Sequence, residues 1–221
     1  MTQPLIHIDT LFSHVILANG SFPRHAIPLS ILQHAGRLIC CDGAYGQLVS
    51  HHMATNNNLT VIGDGDSLPD EIKAQINFVK VDEQDYNDLT KATRYLVQHS
   101  KDNTPLTVAY IGAAGRREDH ELANIALMAF YYRELHINPV LITDYGWFTV
   151  ASGECELETF PRQQVSIFNF GCSKLQSNGL KWQSYAYREL WQGTLNEATG
   201  HKVSLNGDGV YMVYRTYEAK L

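Results

Sequence analysis

Two aspartates separated by one glycine are the residues of this chain whose type and spacing point most directly to chemistry. Asp64 and Asp66 lie in the motif G-D-G-D-S at positions 63–67, directly after the apolar run 59–62. Two carboxylates this close repel each other unless a cation lies between them. Mg²⁺ prefers carboxylate oxygens and shared substrate phosphates, so it is the natural candidate for that cation.

A second pair of charges, of opposite sign, lies at a predicted helix start. Asp88 and Lys91 are three residues apart and therefore share one face of the helix. The carboxylate could join the metal ligands, and the ammonium is a point charge suited to phosphate. Taken alone, the pair is better explained as an acid that stabilises the helix dipole beside a solvated lysine. Asp85 has a similar plain explanation as a helix cap or loop carboxylate.

A loop that contains two glycines and leads into two arginines is the third candidate. Residues 112–115 read G-A-A-G and are followed by Arg116 and Arg117, at the start of another predicted helix. Loop N–H groups and a bidentate guanidinium would suit a phosphate. The loop matches neither the P-loop nor the G-x-G-x-x-G pattern, so its spacing alone is a weak signal. Asp119 and His120 could serve acid/base roles, although Asp119 is equally suited to cap the helix.

These residues follow short apolar runs that alternate with helical patterns. The predicted strands of this part are 15–18, 38–41, 59–62, 78–81, 107–111 and 139–143. Such alternation predicts an α/β domain over 1–144 with a mostly parallel sheet flanked by helices. The carboxyl ends of parallel strands lie on one edge of a sheet, so we expect the residues that follow them to converge in one cleft.

After Asp144 the helical period gives way to alternation of apolar and polar residues. The pattern predicts a second, all-β domain over 145–221, a small β-sandwich. The motif N-G-D-G at 206–209 lies between two such runs and predicts a hairpin turn. Within the same part, Trp182 follows Asn178, and its flat ring could stack on an aromatic or cationic ring. Without further evidence a core tryptophan is the favoured interpretation.

Composition excludes several classes of protein. The chain has 221 residues, a net charge of −6 and no dense run of Lys and Arg, which argues against general nucleic-acid binding. The four cysteines form no CxxC pair and suit buried thiols in a reduced cytosolic protein. The N-terminus does not read as a signal peptide, and no apolar run of about 18 residues suggests a membrane span. We expect a soluble, cytoplasmic protein.

Taken together, the motifs resemble the thiamine pyrophosphokinase (thiamine diphosphokinase) family. The family patterns are D-G-A/G, G-D-x-D-S, D-Q-D-x-T-D-x-x-K, G-x-x-G-G-R-x-D-H, S/T-G-L-K-W and a late G-T/S-S-N turn. Here they correspond, in the same order, to 42–44, 63–67, 83–91, 112–120, 178–182 and 193–196. Departures are Asn87 for Thr, Arg116 for the second Gly, Asn178 for Ser or Thr, and Leu195 within the late turn. Any one motif is modest evidence, but five or six in order are highly specific.

The resemblance implies an enzyme that transfers a diphosphate group from ATP to thiamine, with Mg²⁺, as a homodimer whose thiamine site lies at the subunit interface. Asp64, Asp66 and Asp88 would hold Mg²⁺, while Lys91 and Arg117 would neutralise developing charge. Gln84 and Asp119 would orient substrate groups, and Trp182 would stack on thiamine. The remaining substrate-binding candidates are Asp42, Asp85, Asn87, His120, Asn178 and Asn196.

Two alternatives stay open at this level. An Asp-x-Asp motif after a strand also suits a metal-dependent phosphohydrolase, although that pair usually lies near the N-terminus. A non-catalytic thiamine or nucleotide sensor could keep the same fold. The retained carboxylates and Lys91 argue against the sensor, because binding alone does not require the full set of phosphate-handling residues.

Overall fold

A computed structural model describes residues 2–53, 58–100 and 105–220. The chain divides into two compact units. One consists of Ile8–Asp144, and the other combines Met1–His7 with Tyr145–Leu221. Among the described residues, none of the helices has both the length and the apolar character that crossing a bilayer requires.

The secondary-structure elements are numbered in chain order. The strands of the described residues are β1 (Thr2–Gln3), β2 (His14–Leu17), β3 (Arg37–Cys41), β4 (Leu59–Gly63), β5 (Phe78–Lys80), β6 (Thr107–Ile111), β7 (Asn138–Ile142), β8 (Gly146–Glu158), β9 (Gln163–Asn169), β10 (Leu175–Asn178), β11 (Asn196–Glu197) and β12 (Lys202–Ala219). The helices are α1 (Ala26–Gln33), α2 (Asp42–Ser50), α3 (Asp70–Lys73), α4 (Asp88–Gln98) and α5 (Glu118–Glu134), and a 3₁₀ helix covers Leu190–Gly193.

The first unit is built on a parallel sheet with the strand order β7-β6-β2-β3-β4-β5. Every neighbouring pair of these strands runs parallel. Consecutive residues of β2, β3, β4 and β6 are buried, which requires cover on both faces of the sheet. All six strands predicted for this part are present, with ends that differ from the prediction by no more than one residue. Strands of this kind are buried on both faces, so the ends of each apolar run lie close to the ends of the strand.

Local sequence explains how the helices begin. Asn87 caps α4 by accepting a hydrogen bond from the Thr90 N–H at 3.0 Å. Pro69 precedes α3, in keeping with the preference of proline for helix starts. Helix α1 was not expected from the sequence. It begins after His25, whose Nδ1 accepts from the Ile27 N–H at 3.3 Å, and it carries Pro28 in its first turn.

The second unit is all-β, as predicted. The long strand β12 pairs antiparallel with β8 along most of its length. On its other edge, β10 pairs with the first part of β12 and β9 with the second part. The strands therefore form one continuous hydrogen-bonded sheet rather than the two separate sheets expected of a sandwich. One face of this sheet encloses a core that includes Leu157, Val165, Leu175, Val203 and Tyr211.

The predicted hairpin at 206–209 is wrong. Strand β12 continues through it, with a register shift between Gly207 and Val210 against β8. Asp208 accepts hydrogen bonds from the backbone N–H groups of Ser173 and Lys174, both at 2.8 Å. A Cβ on Gly209 would lie 2.4 Å from the Gly171 carbonyl oxygen. The glycines therefore allow close approach of a neighbouring loop at a β-bulge, which is the other structure that glycine in a strand indicates.

The predicted domain boundary needs one correction at the N-terminus. Residues Met1–His7, which were assigned to the first domain, belong to the second unit. Thr2 and Gln3 pair in parallel with Glu156 and Leu157 of β8. Arg215, which is fully buried, donates from Nη1 to the carbonyl oxygens of Gln3 and Glu158 at 3.2 and 2.8 Å. A two-residue strand of this kind carries no periodicity that a sequence pattern could reveal.

Candidate active site

The carboxyl ends of the parallel strands border a cavity of about 540 Å³ in the first unit. This is the edge at which ligands bind to open α/β sheets. Residues that follow β2, β4, β5 and β6 all reach this cavity, so these strand ends do meet. The predicted site residues in its lining are Asp64, Gln84, Asn87, Asp88, Lys91, Arg117 and His120. The predicted site residues of this unit that lie outside the lining are Asp42, Asp66, Asp85 and Asp119.

The Asp88–Lys91 pair lies at the start of α4. Lys91 Nζ lies 3.2 Å from Asp88 Oδ1, and the lysine side chain is only 4% exposed whereas that of Asp88 is 47% exposed. A solvated lysine is therefore excluded, because the ammonium is buried against the cavity. Such a lysine keeps its charge through a partner, and Asp88 is that partner. The arrangement presents one fixed positive charge to a ligand in the cavity.

Cys41, at the end of β3, also lines the cavity. Burial is the main cause that raises the pKa of its thiol far above the ordinary value. The negative charges of Asp88 and Asp42 raise this pKa further, while Lys91 lowers it. Cys41 is therefore a neutral wall of the cavity rather than a nucleophile, since only the thiolate attacks.

The G-D-G-D-S loop after β4 is held from beneath by Asp42. This aspartate is 4% exposed, and its Oδ2 accepts a hydrogen bond from the Gly65 N–H at 3.0 Å. A Cβ on Gly63 would lie 2.7 Å from the Asp42 carboxyl carbon, so only glycine fits there. Asp42 is thus placed as a support of the loop rather than as a group that faces a ligand.

Within that loop, the two aspartates are differently placed. Asp64 is half-buried and lines the cavity, and its Oδ1 accepts from the Asp66 N–H at 3.1 Å. Asp66 is exposed and lies outside the lining. Both carboxylates act on Lys80, whose pKa is raised first by its hydrogen bond to Asp82 and then, more weakly, by Asp66 and Asp64. The loop therefore carries a concentrated negative field at the sheet edge.

A preassembled metal site does not form from these carboxylates. Within residues 2–53, 58–100 and 105–220, no three His, Cys, Asp or Glu side chains lie close enough to hold a metal ion together. Asp64 and Asp88 nevertheless line the same cavity. Mg²⁺ usually keeps several waters and takes one or two carboxylates plus substrate phosphates. Two carboxylates at one cavity fit this pattern, and the expected third ligand, Asp66, lies outside the cavity lining.

The loop after β6 is attached to the segment that follows β2. The Gly20 N–H donates to the Gly112 carbonyl at 2.6 Å, and the Ser21 N–H donates to the Ala114 carbonyl at 2.8 Å. Ser21 Oγ donates to the Gly115 carbonyl. The glycines at 112 and 115 have φ of 68° and 83°, values that glycine adopts without strain. We call residues 112–116 the arginine loop.

One amide of the arginine loop already has an anionic partner. The Gly115 N–H donates to Glu121 Oε2 at 3.0 Å. Asn124 Nδ2 donates to the Ala113 carbonyl at 2.8 Å, so α5 holds the loop through two side chains. The expected cradle of free N–H groups is therefore partly filled by a carboxylate of the protein itself.

The two arginines that follow the loop glycines have different partners. Arg117 forms a bidentate ion pair with Asp119, with Nη2–Oδ2 at 2.7 Å and Nε–Oδ1 at 3.2 Å. This pair lowers the pKa of Asp119. Arg116 also lines the cavity and donates from Nη1 to Asn19 Oδ1 at 3.2 Å. Asp119 is therefore a partner of Arg117 rather than a free acid or base.

The segment between β5 and α4 contributes some of its residues to the cavity lining. Gln84 lines the cavity, whereas Asp85 is exposed outside it. Tyr86 lines the cavity and packs its ring against Arg94, whose guanidinium carbon lies 4.6 Å from the ring centroid. This contact was not predicted, because the cation and the ring are eight residues apart on different elements.

In the second unit, Trp182 is not a core residue, since 53% of its surface is exposed. The buried Asn196 holds its backbone. Asn196 Nδ2 donates to the Trp182 carbonyl at 2.7 Å, and its Oδ1 accepts from the Trp182 N–H at 3.1 Å. Lys181 Nζ lies 4.9 Å from the Trp182 ring centroid. The indole is thus presented on a rigid backbone with one face near a cation.

Asn178 lies apart from the Trp182 platform. It lines a separate groove of about 480 Å³ in the second unit, with Glu154, Glu156 and Asn206. Leu195, the departure within the late turn, is 66% exposed and has a φ of 63°. Asn196, which follows Leu195 in the turn, supports Trp182 through the two backbone hydrogen bonds described above.

Several cavity residues were missed by sequence reasoning. The polar ones are Asn19, Tyr86, Glu121 and Asn124. Asn19 lies two residues after β2, at the same edge as the other sites, so its position was a usable signal. Glu121 and Asn124 lie in the first two turns of α5, where a helical pattern by itself does not distinguish loop contacts from solvated residues.

Comparison with protein families gives two matches that follow one another along the chain. Residues 29–138 match the model of the thiamin pyrophosphokinase catalytic domain. Residues 146–214 match the model of the thiamin pyrophosphokinase substrate-binding domain. Between them these matches cover most of the chain. Among curated protein sequences, none matches.

Solved structures of similar fold come from fungi and bacteria. The thiamin pyrophosphokinase from Candida albicans superposes with a TM-score of 0.76 at 14% identity, covering 98% of this chain and 92% of its own. Thiamine pyrophosphokinase from Bacillus subtilis gives 0.72 at 19% identity, covering 94% and 99%. The yeast thiamin pyrophosphokinase gives 0.73 at 16% identity, covering 97% and 90%. At these identities the likeness establishes the fold.

Proposed function

The chain belongs to the thiamin pyrophosphokinase family, and on that basis we propose that it transfers a diphosphate group from ATP to the hydroxyethyl group of thiamine. The products are thiamine diphosphate and AMP, so the thiamine oxygen attacks the β-phosphorus and the bond from that phosphorus to the α-phosphate oxygen breaks. The observation that carries this proposal is the cavity at the carboxyl edge of the parallel sheet, which is lined by Lys91, Asp64 and Asp88.

The transition state of such a transfer spreads negative charge over phosphoryl oxygens, so positioning and electrostatics supply most of the catalysis. Lys91 is fixed against the cavity by its contact with Asp88, and its ammonium stabilises that charge. Asp64 and Asp88, which line the cavity, would hold Mg²⁺ with the phosphates, with Asp66 as a further candidate. The ion, when bound, would screen the phosphate charge. Arg117 lies at the same cavity and adds positive charge.

Other predicted residues are proposed as substrate contacts. Gln84, Asn87 and His120 line the cavity and offer hydrogen-bonding groups to the nucleotide. Asp119 acts through Arg117, which it orients. Within the described ranges, no contact of Asp85 or Asn178 supports its expected role, and both roles stay as predictions that substitution would test.

Thiamine is proposed to stack on Trp182. The exposed indole, its rigid backbone and the nearby Lys181 ammonium support a platform for a flat ring. We propose a homodimer with the thiamine site at the interface between protomers, which is consistent with the exposed aromatic side chains of Trp182, Tyr185 and Trp191 in this unit. The four free cysteines are buried, which suits the proposed location in the cytoplasm.

The test is to incubate the protein with ATP and thiamine, with and without Mg²⁺, and to separate the nucleotides and thiamine esters by chromatography. We expect AMP and thiamine diphosphate in equal amounts when Mg²⁺ is present and neither when it is chelated. ADP as the sole nucleotide product would overturn diphosphate transfer. Release of inorganic phosphate without any thiamine ester would identify a phosphohydrolase instead.

A further inference from the structure

Arg116 is a cation of the cavity that the family pattern does not contain, since the motif has glycine at this position. Its side chain lines the cavity between the arginine loop and Asn19. A guanidinium has five N–H donors in a planar fork. Among the described residues, Arg116 uses one of them, from Nη1 to Asn19 Oδ1 at 3.2 Å. Most of its donors are therefore available to a ligand.

The other cations of the cavity lining already have anionic partners. Lys91 lies against Asp88, and Arg117 is held by two hydrogen bonds to Asp119. Within the described part of the chain, Arg116 is the lining lysine or arginine without an ion pair. A polyphosphate that enters this cavity would therefore meet a guanidinium that is not already held in an ion pair with a carboxylate of the described residues.

Arg116 is not required to hold its loop. Three hydrogen bonds from Gly20 and Ser21 to carbonyl groups of residues 112–115 fix the arginine loop without using this side chain. Side chains of Glu121 and Asn124 hold the same loop from the other side. Because the loop does not depend on it, the Arg116 side chain in the cavity lining is free to contact a ligand.

The neighbourhood of Arg116 also needs a positive charge. Glu121 places a carboxylate on the Gly115 N–H, where a phosphate-binding loop would present a free amide. That carboxylate repels a phosphate, so glycine at position 116 would leave this side of the cavity without compensation. The arginine supplies the compensating charge within the same loop.

We infer that Arg116 binds the polyphosphate of the nucleotide and determines nucleotide affinity in this chain, with its fork directed at non-bridging phosphate oxygens. This inference rests on the proposed function, because it assigns a role at the same cavity. Arginine is the residue best matched to bidentate phosphate recognition. Arg117, the other arginine of the cavity lining, is held by Asp119.

The experiment compares Arg116→Gln with a matched control, Arg133→Gln, by calorimetric titration with ATP in the presence of Mg²⁺. Arg133 is exposed in the last turn of the same helix that follows the loop, about 22 Å along the helix axis from its start. Both variants lose one positive charge. We expect Arg116→Gln to weaken ATP binding about tenfold, which is the scale of one charge-assisted hydrogen bond, and Arg133→Gln to leave it unchanged.

The dependence of ATP affinity on salt concentration distinguishes phosphate binding by Arg116 from a structural role of this residue. The affinity difference between wild type and Arg116→Gln should shrink when NaCl is raised, because screening weakens a charge–phosphate contact. The KM for thiamine at saturating ATP should not change. Equal ATP affinity in the two variants, or a difference that does not depend on salt, would overturn the inference. If wild type binds ATP in the expected pattern but forms no AMP, the proposed function fails while the role of Arg116 stands.

Discussion

The buried ion pair at the start of α4 allows stability and catalysis to be separated by two substitutions. Lys91 is 4% exposed and Asp88 is 47% exposed, and their charged atoms lie 3.2 Å apart. Asp88→Asn removes the charged partner of a buried ammonium. Lys91→Met replaces the ammonium with an apolar side chain of similar length and leaves a carboxylate that water already reaches.

The magnitudes follow from this asymmetry. At 3.2 Å and an effective dielectric constant of about 20, the pair attracts by at most about 5 kcal/mol. Because half of Asp88 is solvated, we expect Asp88→Asn to lower the free energy of unfolding by about 2 kcal/mol. Lys91→Met should change it by less than about 1 kcal/mol, since buried ion pairs can be replaced by apolar groups at little cost.

The effects on activity should not follow the same order. Lys91→Met should lower kcat about hundredfold or more, because it removes a fixed charge aimed at the phosphoryl oxygens. Asp88→Asn should lose activity as well as stability. The assays are urea unfolding followed by circular dichroism and steady-state formation of AMP.

A matched pair of the same spacing serves as the control. Lys73 and Asp70 lie 3.0 Å apart in α3, and the Asp70 side chain is 95% exposed. Asp70→Asn should change the free energy of unfolding by less than about 0.5 kcal/mol and leave turnover unchanged. If Lys91→Met keeps normal turnover, or is as destabilising as Asp88→Asn, the reasoning about this pair is wrong.

Three further predictions concern other parts of the chain. Trp182→Ala should raise the KM for thiamine about tenfold with little change in the KM for ATP, and equal effects on both substrates would return Trp182 to a structural role. Asn196→Ala breaks three hydrogen bonds of a buried amide, so it should lower the free energy of unfolding by about 2 kcal/mol in a denaturant titration. Cys41 should resist a thiol-specific disulfide reagent at pH 8 in the native protein and react at once after unfolding, because burial raises the pKa of its thiol; rapid labelling of native Cys41 would contradict this. Hydrogen bonds from Ser173 and Lys174 lower the pKa of Asp208, so its stabilising contribution is present above the ordinary carboxyl pKa and is lost as pH falls through the lowered value. Asp208→Asn should therefore lower the melting temperature at pH 7, and the difference from wild type should shrink steadily as the pH falls below the ordinary carboxyl pKa. A difference that stays constant with falling pH would refute this prediction.

The parts of the fold that the sequence predicts well are those in which a local pattern and a tertiary requirement coincide. The six parallel strands are buried on both faces, so each had to be a continuous apolar run. The family, predicted from ordered motifs, is confirmed by the two family matches.

The parts that the sequence does not predict depend on contacts between distant residues. Asp42 supports the loop that begins at Gly63, and Arg116 meets Asn19 across 97 positions of the chain. The motif at 206–209 has the composition of a hairpin turn, but Asp208 binds a neighbouring loop and the strand continues through a bulge. Only the packing of that loop decides between the two structures.

The role of Trp182 shows the same limit in another form. Its residue type suits a core and a ligand platform equally, and exposure of about half of the ring distinguishes them. The exposure of Trp182 depends on Asn196, which lies 14 positions later and holds the Trp182 backbone through a hydrogen bond. The motif therefore identifies the residue, and the fold identifies its environment.

Transfer of two phosphates in one step is the central claim, and isotopic label tests it most directly. The protein would be incubated with thiamine, Mg²⁺ and ATP labelled either at the β- or at the γ-phosphorus, and the labelled thiamine ester would be isolated. We predict that both labels enter thiamine diphosphate in equal yield, matched by the amount of AMP. Transfer of the γ-label alone, with the β-label retained in ADP, would contradict the account.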